Sequence, residues 1–323
     1  MIDTQQIDYT VTCNNDQLWK LTELLKFLTT HQGQSIVLGI NPEAIDLHTL
    51  GLYEILDLFN FKSVTIITAN LFECHHKYNI VQSKQHNIYF FLEEKVKVDP
   101  VLHQWDKSKI FLTMYRRPTA SRLGLAGHLF DHHSEISHIH FSSDTLSDSL
   151  EFYEMNKLLT YNPSSVISVG KMINKLPLEV ASSQGYSPLG FMSNFELALR
   201  KHYQHILIDV VGETHVLGNT FFPTEKTSRP MWFKKPFIAF ASKNYLCYLR
   251  QMGFMTFSEF WSEDYDGYES HERFIRILEV IDQIAKKSTA ELNQMYWDMK
   301  YVLDHNYDLL YNQTYLKKIT PIS

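Results

Sequence analysis

The chain has 323 residues, of which 44% are hydrophobic and 20% charged, and its formal net charge at pH 7 is −6. This composition excludes a disordered chain and predicts one large or two medium domains with packed cores. The acidic balance argues against a non-specific nucleic-acid binder but leaves room for a local basic groove.

Apolar runs typical of buried strands alternate with helical patterns in the first half of the chain. A first helix is expected after a capping Asp16, where leucines recur at helical spacing from Leu18 to Leu28. Further helices are expected over 50–59, 121–130 and 151–159. Strands are expected over 35–40, 63–68, 88–92, 110–115 and 139–141. The alternation predicts a parallel sheet covered by helices on both faces.

The second half alternates again and then becomes helical. Helices are expected over 195–203 and 243–252, strands over 205–211 and 236–241, and helices from His271 onward. The stretch over about 144–190 is irregular and turn-rich, so an interdomain crossing is expected there. We therefore predict an α/β protein with two Rossmann-like domains facing across a cleft. The predicted domains are 1–150 and 151–323, the second ending in a helical tail.

An arginine cluster follows the strand that is expected to end near Tyr115. Ligands of open parallel sheets bind beyond the carboxyl ends of the strands, which is where this cluster falls. Arg116, Arg117 and Arg122 lie within seven residues of one another and could bind phosphate or a sugar acid. The alternative is a helix start whose arginines pair with carboxylates at the edge of the sheet.

Two further groups of candidate residues also follow predicted strands. Glu213 and His215 alternate after the strand ending near Val211, so they share one side of an extended segment. They could serve a sugar hydroxyl or a departing phosphate, or form a solvated turn. Glu43 follows the strand over 35–40 and could act as a general base. A turn with a capping role is the simpler interpretation of the neighbouring Asp46.

The most informative stretch runs from Phe221 to Pro230 and is followed by a predicted strand. Glu225 and Lys226 fall in the first turn of an expected helix, where outward-facing N–H groups favour anions. Lys226 and Arg229 lie three residues apart, so they share a helical face and can both reach phosphate oxygens. Glu225 can accept hydrogen bonds from sugar hydroxyls. The alternative is an N-capped surface helix with an incidental salt bridge.

Histidines are abundant but give no metal-ligand spacing. The chain has 16 of them, including His75-His76 and His132-His133. Adjacent histidines point in different directions on regular elements, and no cysteine or carboxylate spacing accompanies them. We therefore expect no bound metal. There is also no glycine-rich phosphate loop, no Gly-x-Ser-x-Gly turn and no context for a nucleophilic cysteine.

The segment Thr224-Glu225-Lys226, after an apolar strand and a loop, resembles the Thr-Glu-Lys segment of α1,3-fucosyltransferases. A wider pattern over about 205–285 resembles a group of uncharacterised glycosyltransferase-like proteins of phages and marine microbes. That pattern includes Glu213-Thr214, Phe222-Pro223-Thr224-Glu225-Lys226-Thr227, Arg229-Pro230, Lys235-Pro236-Phe237-Ile238 and Gly253-Phe254. The segment Arg116-Arg117-Pro118, with Arg122, is similar to an arginine-rich element in the N-terminal half of the same group.

The resemblance implies a GT-B architecture, with the donor nucleotide on the C-terminal domain and the acceptor near the N-terminal one. It implies that Glu225 and Lys226 contact the donor, and we add Thr224, Arg229, Arg117 and His215 as donor-binding candidates. GT-B enzymes generally need no metal at the diphosphate, and no Asp-x-Asp motif is placed here to hold one. The chain departs from the fucosyltransferases around their N-terminal catalytic carboxylate.

We therefore predict a glycosyltransferase that moves a sugar from a nucleotide sugar to an acceptor hydroxyl of a carbohydrate or other molecule. Lys226, Arg229 and Arg117 would stabilise the departing diphosphate, and Glu43 and Glu213 are the candidate catalytic carboxylates. No cofactor is expected beyond the nucleotide-sugar co-substrate, for which a GDP-linked donor is one candidate. Two alternatives are a viral-type glycosyltransferase acting on modified DNA bases, which the acidic charge does not favour, and a non-catalytic binding or assembly module.

The expected location is the cytoplasm. Cys13, Cys74 and Cys247 are far apart and odd in number, which gives no disulfide framework and indicates a reducing compartment. The N-terminus lacks a basic region followed by an apolar run, so no signal peptide is expected. No apolar stretch approaches the roughly 20 residues that span a bilayer, so no membrane span is expected.

Overall fold

A computed structural model of the chain describes residues 7–14, 17–41, 45–82, 103–115, 117–141, 148–178 and 202–312. These residues form a mixed α/β structure with two separate, mainly parallel sheets. The predicted strand over 88–92 lies outside the described residues, as does the predicted helix over 195–203 except for its last two positions. The α/β class that the alternating pattern predicts is confirmed.

The first sheet has the strand order β2-β1-β3-β4-β5. Its strands are β1 (Tyr9–Asn14), β2 (Gln17–Trp19), β3 (Ser35–Asn41), β4 (Ser63–Thr68) and β5 (Asn79–Gln82). All pairs are parallel except β1–β2, which is antiparallel. Helix α1 (Leu21–Thr30) connects β2 to β3, and α2 (Leu52–Asp57) connects β3 to β4.

The start of the first helix differs from the prediction. Residues 17–19 form the short strand β2, and Lys20 has a left-handed φ of 56° before α1 begins. Leu18 therefore belongs to a strand, although its spacing to Leu21 also fits a helix. The predicted cap Asp16 lies outside the described residues.

The second sheet has the order β7-β6-β8-β9, and all of its strands are parallel. They are β6 (Phe111–Tyr115), β7 (Ser137–Phe141), β8 (Ile208–Gly212) and β9 (Phe237–Phe240). Every residue of β6, β8 and β9 is buried, as expected for parallel strands covered on both faces. The predicted strands over 110–115, 139–141, 205–211 and 236–241 correspond to these elements.

Helices pack around the second sheet and form the C-terminal part of the described chain. They are α3 (Ala120–His132), α4 (Asp148–Tyr161), α5 (Pro163–Ile173), α6 (Glu225–Trp232), α7 (Tyr245–Gln251), α8 (Ser270–Ala285), α9 (Thr289–Asp298) and α10 (Lys300–Tyr311). Helix α8 buries Phe274, Ile277 and Ile281 in the core of the second sheet. The predicted helical C-terminal region is confirmed over the described residues.

Each sheet has its own hydrophobic cluster. Leu38, Tyr53 and Ile66 belong to the cluster around the first sheet, and Phe111 and Ile238 belong to the larger cluster around the second. The change of sheet falls between β5 and β6, and β6 and β7 join the second sheet although both precede residue 150. The division of the chain into domains at 150 stays a prediction. Among the described residues, no helix combines the length and apolar character that crossing a bilayer requires.

Candidate functional site

The loop over 218–222 connects the carboxyl ends of the two sheets. The backbone N–H of Asp46, after β3, donates to Thr220 Oγ1 at 2.7 Å, and Asp46 Oδ2 accepts from the N–H of Asn219 at 2.9 Å. Asn70, after β4, accepts from the N–H of Phe221 at 2.9 Å. Gly218 has a φ of +62°, and an added Cβ would clash with the Asp46 side chain. Asp46 therefore anchors the loop, and its Oδ1 also accepts from the N–H of His48 at 3.0 Å in the turn that follows β3, while helix α2 begins only at Leu52.

Glu213 follows β8 directly and is almost completely buried. Its two carboxylate oxygens accept hydrogen bonds from the hydroxyls of Thr224, Thr227 and Tyr245 at 2.6–3.2 Å, and from the N–H groups of Thr214 and Thr224 at 3.2 Å. These five donors satisfy the hydrogen-bonding capacity of a buried carboxylate. Its bonds join the end of β8 to the start of α6 and thereby fix the loop that carries Lys226.

Thr224 caps helix α6, which begins at Glu225 as the sequence predicts. The Thr224 side chain accepts a hydrogen bond from the N–H of Lys226 at 3.3 Å. The Lys226 ammonium donates to Thr214 Oγ1 at 3.2 Å, to Thr224 Oγ1 at 3.1 Å and to Glu225 Oε1 at 3.1 Å. An ammonium has three N–H donors, so each has an oxygen partner here. The structure thus places Lys226 at the carboxyl end of β8, held by two hydroxyls and one carboxylate.

Glu225 is the most solvent-accessible member of this group, with 35% of its side chain exposed against 18% for Lys226. Burial raises the pKa of Glu225, but the positive charges of Lys226 and Arg229 outweigh that effect and hold the pKa below its usual value. The carboxyl group is therefore ionised at neutral pH. Because Glu225 is partly exposed and pairs with Lys226, an anion that approaches Lys226 from solvent would first encounter this ion pair.

Arg229 points into the protein, away from the partners of Lys226. Its Nε donates to the Tyr203 hydroxyl at 2.8 Å, and that hydroxyl donates to the buried carboxylate of Asp209. Burial on its own would lower the pKa of Arg229, but the nearby Tyr203 and Asp209 outweigh that effect and raise the pKa above its usual value. Asp209, which lies beside Arg229, and Thr214, a partner of Lys226, are five residues apart along β8 and the segment after it. Five residues of extended chain span about 16 Å. Lys226 and Arg229 therefore have different hydrogen-bond partners among the described residues, although the positive charges of both act on the Glu225 carboxylate.

The arginine cluster divides into a buried and an exposed member. Arg122, in the first turn of α3, is buried and donates to the carbonyl oxygens of Gly212 and Glu213 at 3.1 Å. Burial lowers its pKa, and the charges of Glu213 and Glu225 oppose that shift. Arg117 is exposed, and its positive charge also lowers the pKa of Arg122. Arg122 was predicted to bind phosphate or a sugar acid, or to pair with a carboxylate at the sheet edge, whereas it holds two backbone carbonyl oxygens at that edge. Arg116 lies outside the described residues.

His215 and Glu43 are the remaining residues of the predicted site. His215 is buried, and its ring lies 6.1 Å from the ring of Phe222, centroid to centroid. Phe222 packs against Ala69, after β4, so His215 lies on the side of the segment that faces the first sheet. Glu43 lies outside the described residues, and its catalytic role stays a prediction.

Glu73 is a buried carboxylate that the sequence analysis did not single out. It follows β4 and accepts hydrogen bonds from the Tyr53 hydroxyl and the Asn70 amide, each at 2.8 Å. Burial raises its pKa above the usual value, and the nearby Asp46 adds to the increase. Its position a few residues beyond the predicted strand over 63–68 was the available signal. Glu73 belongs to the same edge of the first sheet as the loop anchors Asp46 and Asn70.

Comparisons with known proteins give only distant similarities. No protein-family model matches the chain, and no curated protein matches it. A solved structure of the Candida albicans trehalose-6-phosphate phosphatase N-terminal domain aligns with 9% identity and a TM-score of 0.37, covering 92% of this chain and 73% of that one. The trehalose-6-phosphate synthase OtsA aligns with 10% identity and a TM-score of 0.36, covering 93% and 71%. Similarity at this level assigns neither an activity nor a residue to this chain.

Proposed function

We propose that the protein is a glycosyltransferase that moves a sugar from a nucleotide-sugar donor to an acceptor hydroxyl, without a metal at the diphosphate. In this proposal the two sheets are the cores of two Rossmann-like domains whose carboxyl edges face each other. The second sheet binds the donor and the first sheet the acceptor. The contacts of the 218–222 loop with Asp46 and Asn70 support this arrangement, because they bring the two edges together.

One observation carries the proposal: the Lys226 ammonium lies at the carboxyl end of a buried parallel strand, at the first turn of a helix. Parallel α/β sheets bind phosphorylated ligands at this position, where helix N-termini and cations act together on the anion. The resemblance of Thr224-Glu225-Lys226 to the fucosyltransferase segment points to the same residues. Neither argument depends on the distant structural similarities.

Donor binding would replace one of the contacts of Lys226. The two threonine hydroxyls are neutral, whereas Glu225 is an anion and would repel a diphosphate beside it. We infer that a phosphate oxygen takes the place of Glu225 on Lys226, while the threonines keep the ammonium in position. The released Glu225 carboxylate can then accept hydrogen bonds from the hydroxyls of the ribose or the transferred sugar.

The chemical step breaks the bond between the anomeric carbon and the diphosphate oxygen and forms a bond from that carbon to the acceptor oxygen. The electron pair of the broken bond leaves on the diphosphate, where Lys226 stabilises it; one such donor is worth about 3 kcal/mol of barrier. The acceptor proton must pass to a base. Glu43 is the predicted base, and Glu73 is a second candidate because burial raises its pKa toward the range that suits proton transfer.

Three of the predicted site residues take other roles in this proposal. Glu213 positions the Lys226 loop, since its oxygens are committed to that loop. Arg229 stabilises the buried Tyr203–Asp209 pair and acts on Glu225 through its charge. Arg122 holds the end of β8, and the exposed Arg117 is the other arginine of this cluster among the described residues and would be accessible to a donor.

A substitution of Lys226 tests the proposal. We expect Lys226→Met to weaken binding of the nucleotide-sugar donor by about 100-fold, because a charge-assisted contact to phosphate contributes up to about 3 kcal/mol. The measurement is isothermal titration against a panel of nucleotide sugars and free nucleoside diphosphates. Lys234→Met is the matched control, because Lys234 is buried to a similar extent and also pairs with a carboxylate, that of Asp304 at 2.7 Å.

Equal donor affinity in the wild type and Lys226→Met would refute the diphosphate role. Binding that depends on Lys226 but yields no sugar transfer or donor hydrolysis in long incubations would favour the non-catalytic binding module. Transfer to hydroxymethylated DNA but not to carbohydrate acceptors would favour the DNA-modifying alternative.

A further inference from the structure

Two histidines and an aspartate converge on the side of α3 that faces α8. His128 lies in α3 and His133 directly follows it, and the Nε2 atoms of both lie 2.7 Å from the same oxygen, Asp282 Oδ1 of α8. The three ligand atoms lie within 4.8 Å of one another. The two imidazoles are largely buried, whereas 40% of the Asp282 side chain is exposed. The group is therefore preformed but open on one side.

A cavity of about 420 Å³ borders this group. His128, His132, Asp131 and Asp282 contribute to its lining, together with residues of α5. The His132 ring lies 4.8 Å from the His128 ring, centroid to centroid. The cavity is large enough for water molecules beside the three ligand atoms.

We propose that His128, His133 and Asp282 bind a divalent first-row transition metal ion, with zinc as the best fit. Two imidazoles and one carboxylate are a known ligand set for such ions, and a position open to the cavity is left for water or His132. Zinc bonds of about 2.0–2.2 Å require ligand atoms about 3.3 Å apart. Each nitrogen therefore needs to separate from Asp282 Oδ1 by roughly half an ångström, and the two nitrogens, now within 4.8 Å of each other, need to reach the same spacing.

Metal binding needs a lone pair on each imidazole Nε2. In the metal-free group both Nε2 atoms donate hydrogen bonds to Asp282 Oδ1, so each proton must leave or shift to Nδ1 when a metal binds.

The sequence predicts no bound metal, because adjacent histidines without cysteine or carboxylate spacing give no ligand set. The proposed ligands do not follow such a spacing, since their carboxylate comes from helix α8, 154 residues beyond His128 and 149 beyond His133. His133 directly follows the last residue of α3, where the chain leaves the helix, so its ring lies close to the ring of His128. The spacing along the chain does not reveal this convergence.

The proposed metal is far from the candidate donor site and goes beyond the proposed function. His133 lies near Phe111, the first residue of β6, with ring centroids 6.3 Å apart. The arginine cluster lies past the opposite end of β6, and the helix α3 that separates the two regions is about 20 Å long. The metal would join α3 to α8 and would not contact the diphosphate.

The test measures zinc content and thermal stability of the full chain without a histidine tag. After treatment with a chelator and dialysis, the protein is incubated with about 50 µM zinc, and bound metal is measured by mass spectrometry. We expect one zinc per chain and a rise in Tm of about 4 °C, as binding at well above the Kd stabilises the folded state.

Variants separate metal binding from a purely structural hydrogen-bond group. Asp282→Asn keeps an oxygen that can accept both Nε2–H bonds but removes the anionic ligand, so we expect it to fold and to lose at least about tenfold in zinc affinity. His133→Ala should lose affinity similarly. His271→Ala, which removes an exposed histidine of the same helix α8, is the matched control and should bind zinc like the wild type.

Zinc below about a tenth of an equivalent in the wild type, with no change in Tm at about 100 µM zinc, would overturn the proposal. Unchanged zinc affinity in both Asp282→Asn and His133→Ala would overturn it as well. These readouts do not involve sugar transfer, so they are independent of whether the glycosyltransferase proposal holds.

Discussion

Glu213 and Glu225 show how burial divides the roles of two carboxylates that lie close together. Glu213 is enclosed by hydroxyl and backbone donors, most of them from the loop and helix that follow it and one from Tyr245 in α7. Glu225 has one charged partner and is partly exposed to solvent. The first is suited to holding a fixed geometry, and the second can change partners when a ligand arrives.

Replacing Glu213 distinguishes positioning from catalysis. We expect Glu213→Gln to lower the free energy of unfolding by about 2 kcal/mol or more, because each carboxylate oxygen accepts from a backbone N–H and an NH₂ group in place of either one cannot. Urea denaturation measures the effect, with Glu225→Gln as the control at a partly exposed position. A Glu213→Gln variant that is as stable as the wild type but inactive would instead support the predicted catalytic role.

Lys235 is a buried amine whose charge should make stability depend on pH. It is 1% exposed and donates to the carbonyl oxygen of Gln104 at 2.7 Å. Burial lowers its pKa to about 7, with a smaller opposing effect from Asp106. Between pH 7 and about 10 the unfolded chain therefore binds more protons at this residue than the folded one. The free energy of unfolding should rise with pH across this window.

The Lys235→Met variant isolates this contribution. We expect it to be more stable than the wild type near pH 7, with the difference shrinking by at most about 1.4 kcal/mol per pH unit as the pH rises toward 10. Urea denaturation of both proteins at several pH values gives the difference. A difference that stays constant with pH would show that Lys235 keeps its ordinary pKa.

At the scale of elements, helix α3 depends on glycines for its close packing. A Cβ added at Gly127 would lie 3.0 Å from the backbone nitrogen of Val169 and 3.1 Å from its Cα, in helix α5. At Gly124 it would meet the side chains of Leu158 and Phe274. The glycines lower the intrinsic helix propensity of α3 but allow α5 to approach its backbone, which brings the lining of the cavity together.

Two glycine substitutions in neighbouring helices should have opposite effects. We expect Gly127→Ala to destabilise the protein by about 1–3 kcal/mol, because the α5 backbone cannot yield without repacking. Gly170→Ala in α5 meets nothing within 4 Å and should stabilise by up to about 1 kcal/mol through helix propensity. Thermal or urea denaturation measures both, and stabilisation by Gly127→Ala would contradict the close packing.

At the scale of the whole molecule, the sequence predicts elements well and their partners poorly. Strands β3, β4 and β6 are apolar, β-branched runs and were predicted nearly to their ends. β1, β2 and β5 were not predicted, and β2 was missed because three residues carry too little periodicity against the leucine spacing that follows. Which sheet a strand joins depends on contacts between distant segments, so the pairing of β6 with β8 could not be predicted from either segment alone.

The same limit applies to the candidate site. The start of α6 and its Thr224 cap were predictable, because capping chemistry is local. The partners of Glu213 and Arg229 were not, since Tyr245 and Tyr203 reach them from other parts of the chain. A spacing of three residues shows that two side chains share a helical face. It does not show which of them finds a buried carboxylate.

The short path from Phe222 to Lys226 has a mechanical consequence. Phe222 is fixed against Ala69 of the first sheet, and Lys226 is fixed at the end of β8 in the second. Four residues of chain can extend by at most about 14 Å, which limits how far apart the two attachment points can move. A hinge motion that separates the two sheets beyond that limit must displace the Lys226 ammonium. A ligand bound to the ammonium must in turn oppose the hinge motion, by the same coupling free energy.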